Sequence, residues 1–93
     1  MIKIAALDED LFEVSVITSQ TTKHRVRVTD AVHADLTNRA ISKIDLIERS
    51  FVFLLEREPN TSILSEFSIE TINRYFPEYR SYMQLQDPWF ADE

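Results

Sequence analysis

Apolar and polar residues alternate in steps of two over the first third of the chain and in steps of three and four after it. Ile2 and Ile4 flank Lys3, and the turn-like Asp8-Glu9-Asp10 follows. Phe12, Val14 and Val16 then alternate with Glu13, Ser15 and Ile17, and Val26 and Val28 alternate with Arg25 and Arg27. Two such runs around the polar link Ser19-Gln20-Thr21-Thr22 predict an antiparallel hairpin, or a three-stranded meander with the Ile2 run included. Matching apolar faces favours Val14 opposite Val26 and Phe12 opposite Val28, which sets Glu13 against Arg27. No Asn-Gly or Asp-Gly pair is present, so the link is expected to be longer than two residues.

From Asp30 the spacing becomes helical. Thr29 or Asp30 caps a short segment through Leu36, with Asn38 near its end. Ser42-Lys43-Ile44-Asp45 resembles a capping box and opens one long central helix to Glu58, where Pro59 disfavours further helical geometry. Ile44, Ile47, Phe51, Leu54 and Leu55 form its main apolar stripe, and Leu46, Ser50 and Phe53 widen it. A helix this wide in apolar surface needs cover on two sides, from the chain itself or from a second copy. Beyond Pro59, Asn60-Thr61-Ser62 suggests a cap for a short helix through Phe67. Ser68 caps another with Ile69, Ile72 and Tyr75 or Phe76 on one side. Pro77 then starts a last short helix bearing Tyr79, Tyr82 and Met83. The fold class is α+β: a single domain over 1–93, with a β part at 2–28, a helical part at 30–84 and a tail at 85–93.

Composition narrows the function classes. The longest apolar run is Phe51 to Leu55, far short of the roughly 20 residues of a spanning helix. Met1–Leu7 is followed at once by Asp8-Glu9-Asp10 without a small-residue cleavage site, unlike a signal peptide. The chain has no cysteine, so a reducing cytoplasm is the expected setting. It also has no glycine, which rules out the phosphate-cradling glycine loops and leaves Asn38 and Asn60 as the expected turn formers. The net charge is −6, with five basic and six acidic residues in 1–40 but five and ten in 41–93. Such a balance disfavours non-specific nucleic-acid binding.

Enzyme chemistry finds little footing. His24 and His33 fall on different elements without metal-ligand spacing, and His24 lies on the Val26 side of its strand, where a hydrogen-bonded core histidine is expected. Asp8-Glu9-Asp10 reads as a polar turn. In Glu56-Arg57-Glu58 the two carboxylates point to different sides of a helix, leaving Arg57 to hold the following loop. No catalytic residue, cofactor or metal is expected. The aromatics Tyr79, Tyr82, Trp89 and Phe90 are candidate partner contacts, although core closure by the aromatic cluster is the competing reading.

Lys23, Arg25 and Arg27 are candidate nucleic-acid contacts. Over 23–57 the order of strand, helix to Leu36, turn at Asn38–Ile41 and second helix from Ser42 resembles the ribbon–helix–helix DNA-binding family. That resemblance implies strand pairing between two subunits, with the cationic strand face in the major groove. Separately, Phe53-Leu54-Leu55-Glu56-Arg57-Glu58-Pro59-Asn60-Thr61-Ser62-Ile63-Leu64 and Arg74-Tyr75-Phe76-Pro77-Glu78-Tyr79 resemble a family of short bacterial proteins of unassigned function. It implies a bacterial origin and supplies no activity. The expectation is a small, non-enzymatic cytoplasmic protein acting through protein–protein contacts, with a homodimer among the forms. The alternative is a ribbon–helix–helix-like DNA-binding regulator or antitoxin.

Overall fold

Three antiparallel strands open the chain, because their alternating residues have one face to bury. The computed structural model describes residues 1–37 and 41–85. Strands β1 (Ile2–Ala6), β2 (Leu11–Ile17) and β3 (Thr21–Arg27) form a meander. The link between β2 and β3 is three residues long, and Thr18 closes it by accepting the Gln20 N–H at 3.1 Å. The register differs by two residues from the apolar-to-apolar expectation: Phe12 faces Val26, Val14 faces His24, and Glu13 faces Arg25 instead of Arg27. A two-residue shift keeps every side chain on its expected face, and it is favoured here because His24 is itself a core residue.

Helix α1 (Asp30–Thr37) begins at Thr29, whose hydroxyl accepts the Val32 N–H at 3.3 Å. Helix α2 (Lys43–Leu55) begins at Ser42, whose hydroxyl accepts the Asp45 N–H at 3.1 Å. Its regular part stops three residues before the expected Glu58. The chain tightens there, with the Arg57 N–H bonded to the Leu54 carbonyl at 2.9 Å before Pro59 turns it away. Asn38 lies outside the described residues.

The segment after Pro59 departs furthest from expectation. A single 3-10 turn at Asn60–Ser62 is followed by extended chain and a short strand, β4 (Glu66–Ser68), where a helix through Phe67 is predicted. β4 lies parallel to β3, with Arg25, Val26 and Arg27 in register with Glu66, Phe67 and Ser68. The sheet order is therefore β1-β2-β3-β4, with α1 and α2 in the crossover between β3 and β4. A second 3-10 turn (Ile69–Thr71) leads into α3 (Ile72–Tyr75), and α4 (Tyr79–Leu85) follows Pro77. Phe76 is half-buried and Tyr75 is exposed, so Phe76 is the residue that joins Ile69 and Ile72 on the inner side.

The sheet covers one side of α2. Phe51 lies 5.4 Å from the His24 ring and 6.1 Å from Phe67. Cover for the other side comes from the C-terminal segments, with Phe53 within 6 Å of Phe76, Tyr79 and Tyr82. Leu46, Ile47, Ser50, Phe51 and Phe53 are fully buried, whereas Ile44, expected on the main stripe, is 45% exposed.

One polar contact fixes α4 on α2. The Ser50 hydroxyl donates to the Leu46 carbonyl at 2.7 Å, which leaves its oxygen to accept the Tyr79 O–H at 2.5 Å. Both side chains are fully buried, and burial pushes the Tyr79 phenol well above its ordinary range. Tyr79→Phe should cost about 1 kcal/mol, since Ser50 keeps its backbone acceptor. Ser50→Ala should cost more, roughly 1–3 kcal/mol, because it strands the Tyr79 hydroxyl without an acceptor. Urea denaturation reads the order, and a costlier Tyr79→Phe would refute the assigned donor direction.

The same burial predicts an alkaline limit. Folded Tyr79 keeps its proton above the pH at which the unfolded residue releases it, so its contribution is complete below about pH 10 and declines above it. Lys43 adds a slope of the same sign, its pKa raised by hydrogen bonds to Asp10 and Asp30. Stability measured between pH 9 and 11.5 (roughly bracketing these groups) should fall with pH, less steeply in Tyr79→Phe.

Candidate functional site

The strand register decides which of the chemistry-bearing residues point outward. Lys23, Arg25 and Arg27 alternate with His24 and Val26 along β3 and are exposed, while His24 and Val26 are buried. Lys3 on β1 joins them, because Lys3 faces Ser15 and Ser15 faces Lys23. Arg25 stands between Glu13 of β2 and Glu66 of β4 in its row. Among the described residues, none of these four cations forms an ion pair. Lys23, Arg25, Glu13 and Glu66 border an open depression on this face.

The other basic residues with assigned contacts are engaged within the fold. Lys43 holds Asp10 at 2.8 Å and Asp30 at 2.7 Å, tying the start of α2 to the β1–β2 turn and to α1. Asp10 is thus occupied by an ammonium, and no group of three metal-ligating side chains occurs among the described residues. Arg57 lies 3.6 Å from the centre of the Phe53 ring, donates to the Phe53 carbonyl at 2.9 Å and reaches Glu78 at 3.2 Å. The Glu78 carboxyl is held below its usual range by its own backbone N–H and by Arg57. Arg80 pairs with Asp35, linking α4 to α1.

Both histidines are hydrogen-bonded within the fold. His33 donates through Nε2 to the Ile41 carbonyl at 2.5 Å. His24 is 2% exposed and sits in a buried polar chain. Its Nδ1 lies 2.7 Å from the Leu64 carbonyl, which can only accept, so Nδ1 carries the proton. Nε2, 2.8 Å from the Thr22 hydroxyl, then accepts from it. That hydroxyl in turn accepts from Asn60 Nδ2 at 3.0 Å, and Asn60 also donates to the Gln20 carbonyl at 2.8 Å. Asn60, expected as a turn former, opens the 3-10 turn and also anchors the post-Pro59 segment to the β2–β3 hairpin. Its burial at 6% exposure is a tertiary property that no local pattern displays.

Of the expected partner contacts, Tyr79 is fully buried and serves the core. Tyr82 is half-buried against Phe53, and Trp89 and Phe90 lie outside the described residues. What the helical side leaves open is an apolar groove of about 350 Å³ between the end of α2 and the 62–76 segment. Leu64 and Tyr75, 49% and 67% exposed, stand on its lining. Neither the groove nor Asn60's anchoring was readable in the sequence, because both depend on where the chain runs after Pro59: a 3-10 turn at Asn60–Ser62, then Glu66–Ser68 beside β3.

Comparison with family models, with curated proteins and with solved structures gives no match. No helix among the described residues is long and apolar enough to cross a membrane.

The buried chain makes a prediction. Thr22→Val and Asn60→Ala should each destabilise, by roughly 1–3 kcal/mol, through unpaired buried polar groups. Combined, they should cost less than their sum by at least about 0.5 kcal/mol, as expected of partners in one network. Additive costs in a denaturation cycle would place the two residues in separate interactions.

Proposed function

We propose that this is a small, non-enzymatic cytoplasmic binding protein acting through protein–protein contact, with the uncovered face of its sheet as the contact surface and an acidic protein segment as the partner. The observation that carries this reading is the set Lys3, Lys23, Arg25 and Arg27: four cations without ion pairs among the described residues, on one face of a chain with net charge −6. Four cations against Glu13 and Glu66 leave this face with a positive excess in an acidic protein, and a positive field raises encounter rates with acidic surfaces and rejects basic partners. The use of both histidines, and of Ser50 and Tyr79, in internal hydrogen bonds supports a binding role over a catalytic one.

A DNA-binding regulator is the second reading, favoured by the strand spacing of Lys23, Arg25 and Arg27, at about 6.6 Å between successive side chains. Against its ribbon–helix–helix form stands the pairing of β3, which has β2 on one edge and β4 on the other over Arg25–Arg27. That arrangement needs a strand edge free for a second subunit, and the overall charge opposes a polyphosphate.

Immobilised polyglutamate and duplex DNA separate the two readings. At low ionic strength the protein should be retained on polyglutamate and released as salt rises. A Lys23→Ala/Arg25→Ala/Arg27→Ala variant with unchanged circular dichroism should not be retained. No retention of the parent protein overturns the proposal, and retention on DNA alone, lost in the same variant, transfers the face to nucleic acid. Sedimentation at micromolar concentration shows whether a second copy, through its acidic helical half, is the partner.

A further inference from the structure

The groove on the helical side carries a second and chemically opposite site. Its floor is Leu54, Phe67 and Ile72, and Leu64 and Tyr75 stand at its edge. Single exposed apolar residues are ordinary on a protein surface, but two large ones bordering one apolar depression are a feature of binding sites. The volume, about 350 Å³, lies at the lower end of the roughly 300–1,000 Å³ found for ligand pockets. It has room for anchoring side chains and is too small for a large cofactor.

Glu58 gives the groove its charge. It belongs to the lining, is half-buried, and its carboxylate has no hydrogen bond or ion pair among the described residues. The neighbouring acids are arranged differently: Glu56 and Glu78 both hold Arg57, which therefore stays on the Phe53 side. A carboxylate beside apolar walls acts in a medium less screening than open water, so it selects cations and repels anions. The exposed Tyr75 ring adds a face suited to a cation.

We infer that this groove binds a short segment of a protein partner that presents apolar anchors next to a lysine or arginine, with Glu58 as its charge partner. The site is independent of the cationic sheet face. Phe67, on its floor, is in register with core-facing Val26, so the groove opens on the side of the sheet opposite Lys23, Arg25 and Arg27. The two surfaces therefore fail or succeed separately.

Three fluorescein-labelled peptides test the inference: leucine alternating with lysine, leucine alternating with glutamate, and serine alternating with lysine. Only the leucine–lysine peptide should bind, measured by anisotropy at physiological ionic strength. Glu58→Gln should weaken it by roughly tenfold, a common effect of losing one charged partner. Tyr75→Ala should weaken it similarly, and the Lys23→Ala/Arg25→Ala/Arg27→Ala variant should leave it unchanged. Amide shifts in an NMR titration should concentrate on Leu54, Glu58, Leu64, Ile72 and Tyr75. Equal binding of the serine–lysine peptide would show mere attraction to an acidic surface and overturn the proposal. So would equal binding of the leucine–glutamate peptide, indifference to Glu58→Gln, or shifts centred elsewhere. Glu58 and Tyr75 lie at the surface, so their variants are expected to fold, and thermal denaturation verifies it.

Discussion

A helix that is apolar on two sides cannot rest against one sheet alone, and the cover of Lys43–Leu55 places every later element of this chain. Phe51 needs the sheet and Phe53 needs something on the far side. The chain meets both demands with 30 residues after α2, from Glu56 to Leu85. It first sends β4 back to the sheet, then wraps α3 and α4 over the outer side of α2. Burial of side chains such as Phe51, Phe53 and Tyr79 contributes about 1.5–3 kcal/mol each, which makes this wrapping the main source of stability in so small a core.

Polar contacts decide where the wrapping segments stop. Asn60 locks the chain after Pro59 onto the β2–β3 hairpin, and the hydroxyl pair of Ser50 and Tyr79 fixes α4 against α2. Buried polar groups add little net energy when satisfied and cost much when stranded. Their effect is thus selective: alternative packings of the same apolar residues would leave Asn60, His24 or Tyr79 without partners. Among the described residues, no fully buried side-chain N or O atom lacks a hydrogen-bond partner.

Local periodicity carried the α+β class, the meander, both helix caps and the inward placement of His24. It did not carry the register, since apolar matching cannot see that a histidine bonded to Thr22 and Leu64 counts as core. Nor could it find β4: three residues with one alternation have no pattern of their own, and this strand exists because β3 offers it an edge. The same missing strand hid the groove and the cover of the second edge of β3 over Arg25–Arg27. The cationic triplet was legible, because alternation alone fixes which side of a strand a residue occupies. Its charge environment was legible only in part: Glu13 was expected across from Arg27 and faces Arg25, and Glu66 arrives on the strand that has no pattern of its own.

Charge in this molecule is distributed by the same division of labour. Carboxylates outnumber cations on the helical side, and the cations that tie segments together there, Lys43, Arg57 and Arg80, are each held by acids. On the sheet face four cations have no such duty. An ion pair exposed to water contributes at most about 1 kcal/mol, so folding alone gives little reason either to pair these cations or to gather them. The same holds for Glu58, the one carboxylate among the described lining residues of an apolar groove, where an apolar side chain would pack without the cost of desolvating a charge. Charges that the fold does not use, set on opposite faces and with opposite sign, are what the two proposed contacts would draw on. That is the physical ground on which both proposals rest, and each stands or falls on its own face.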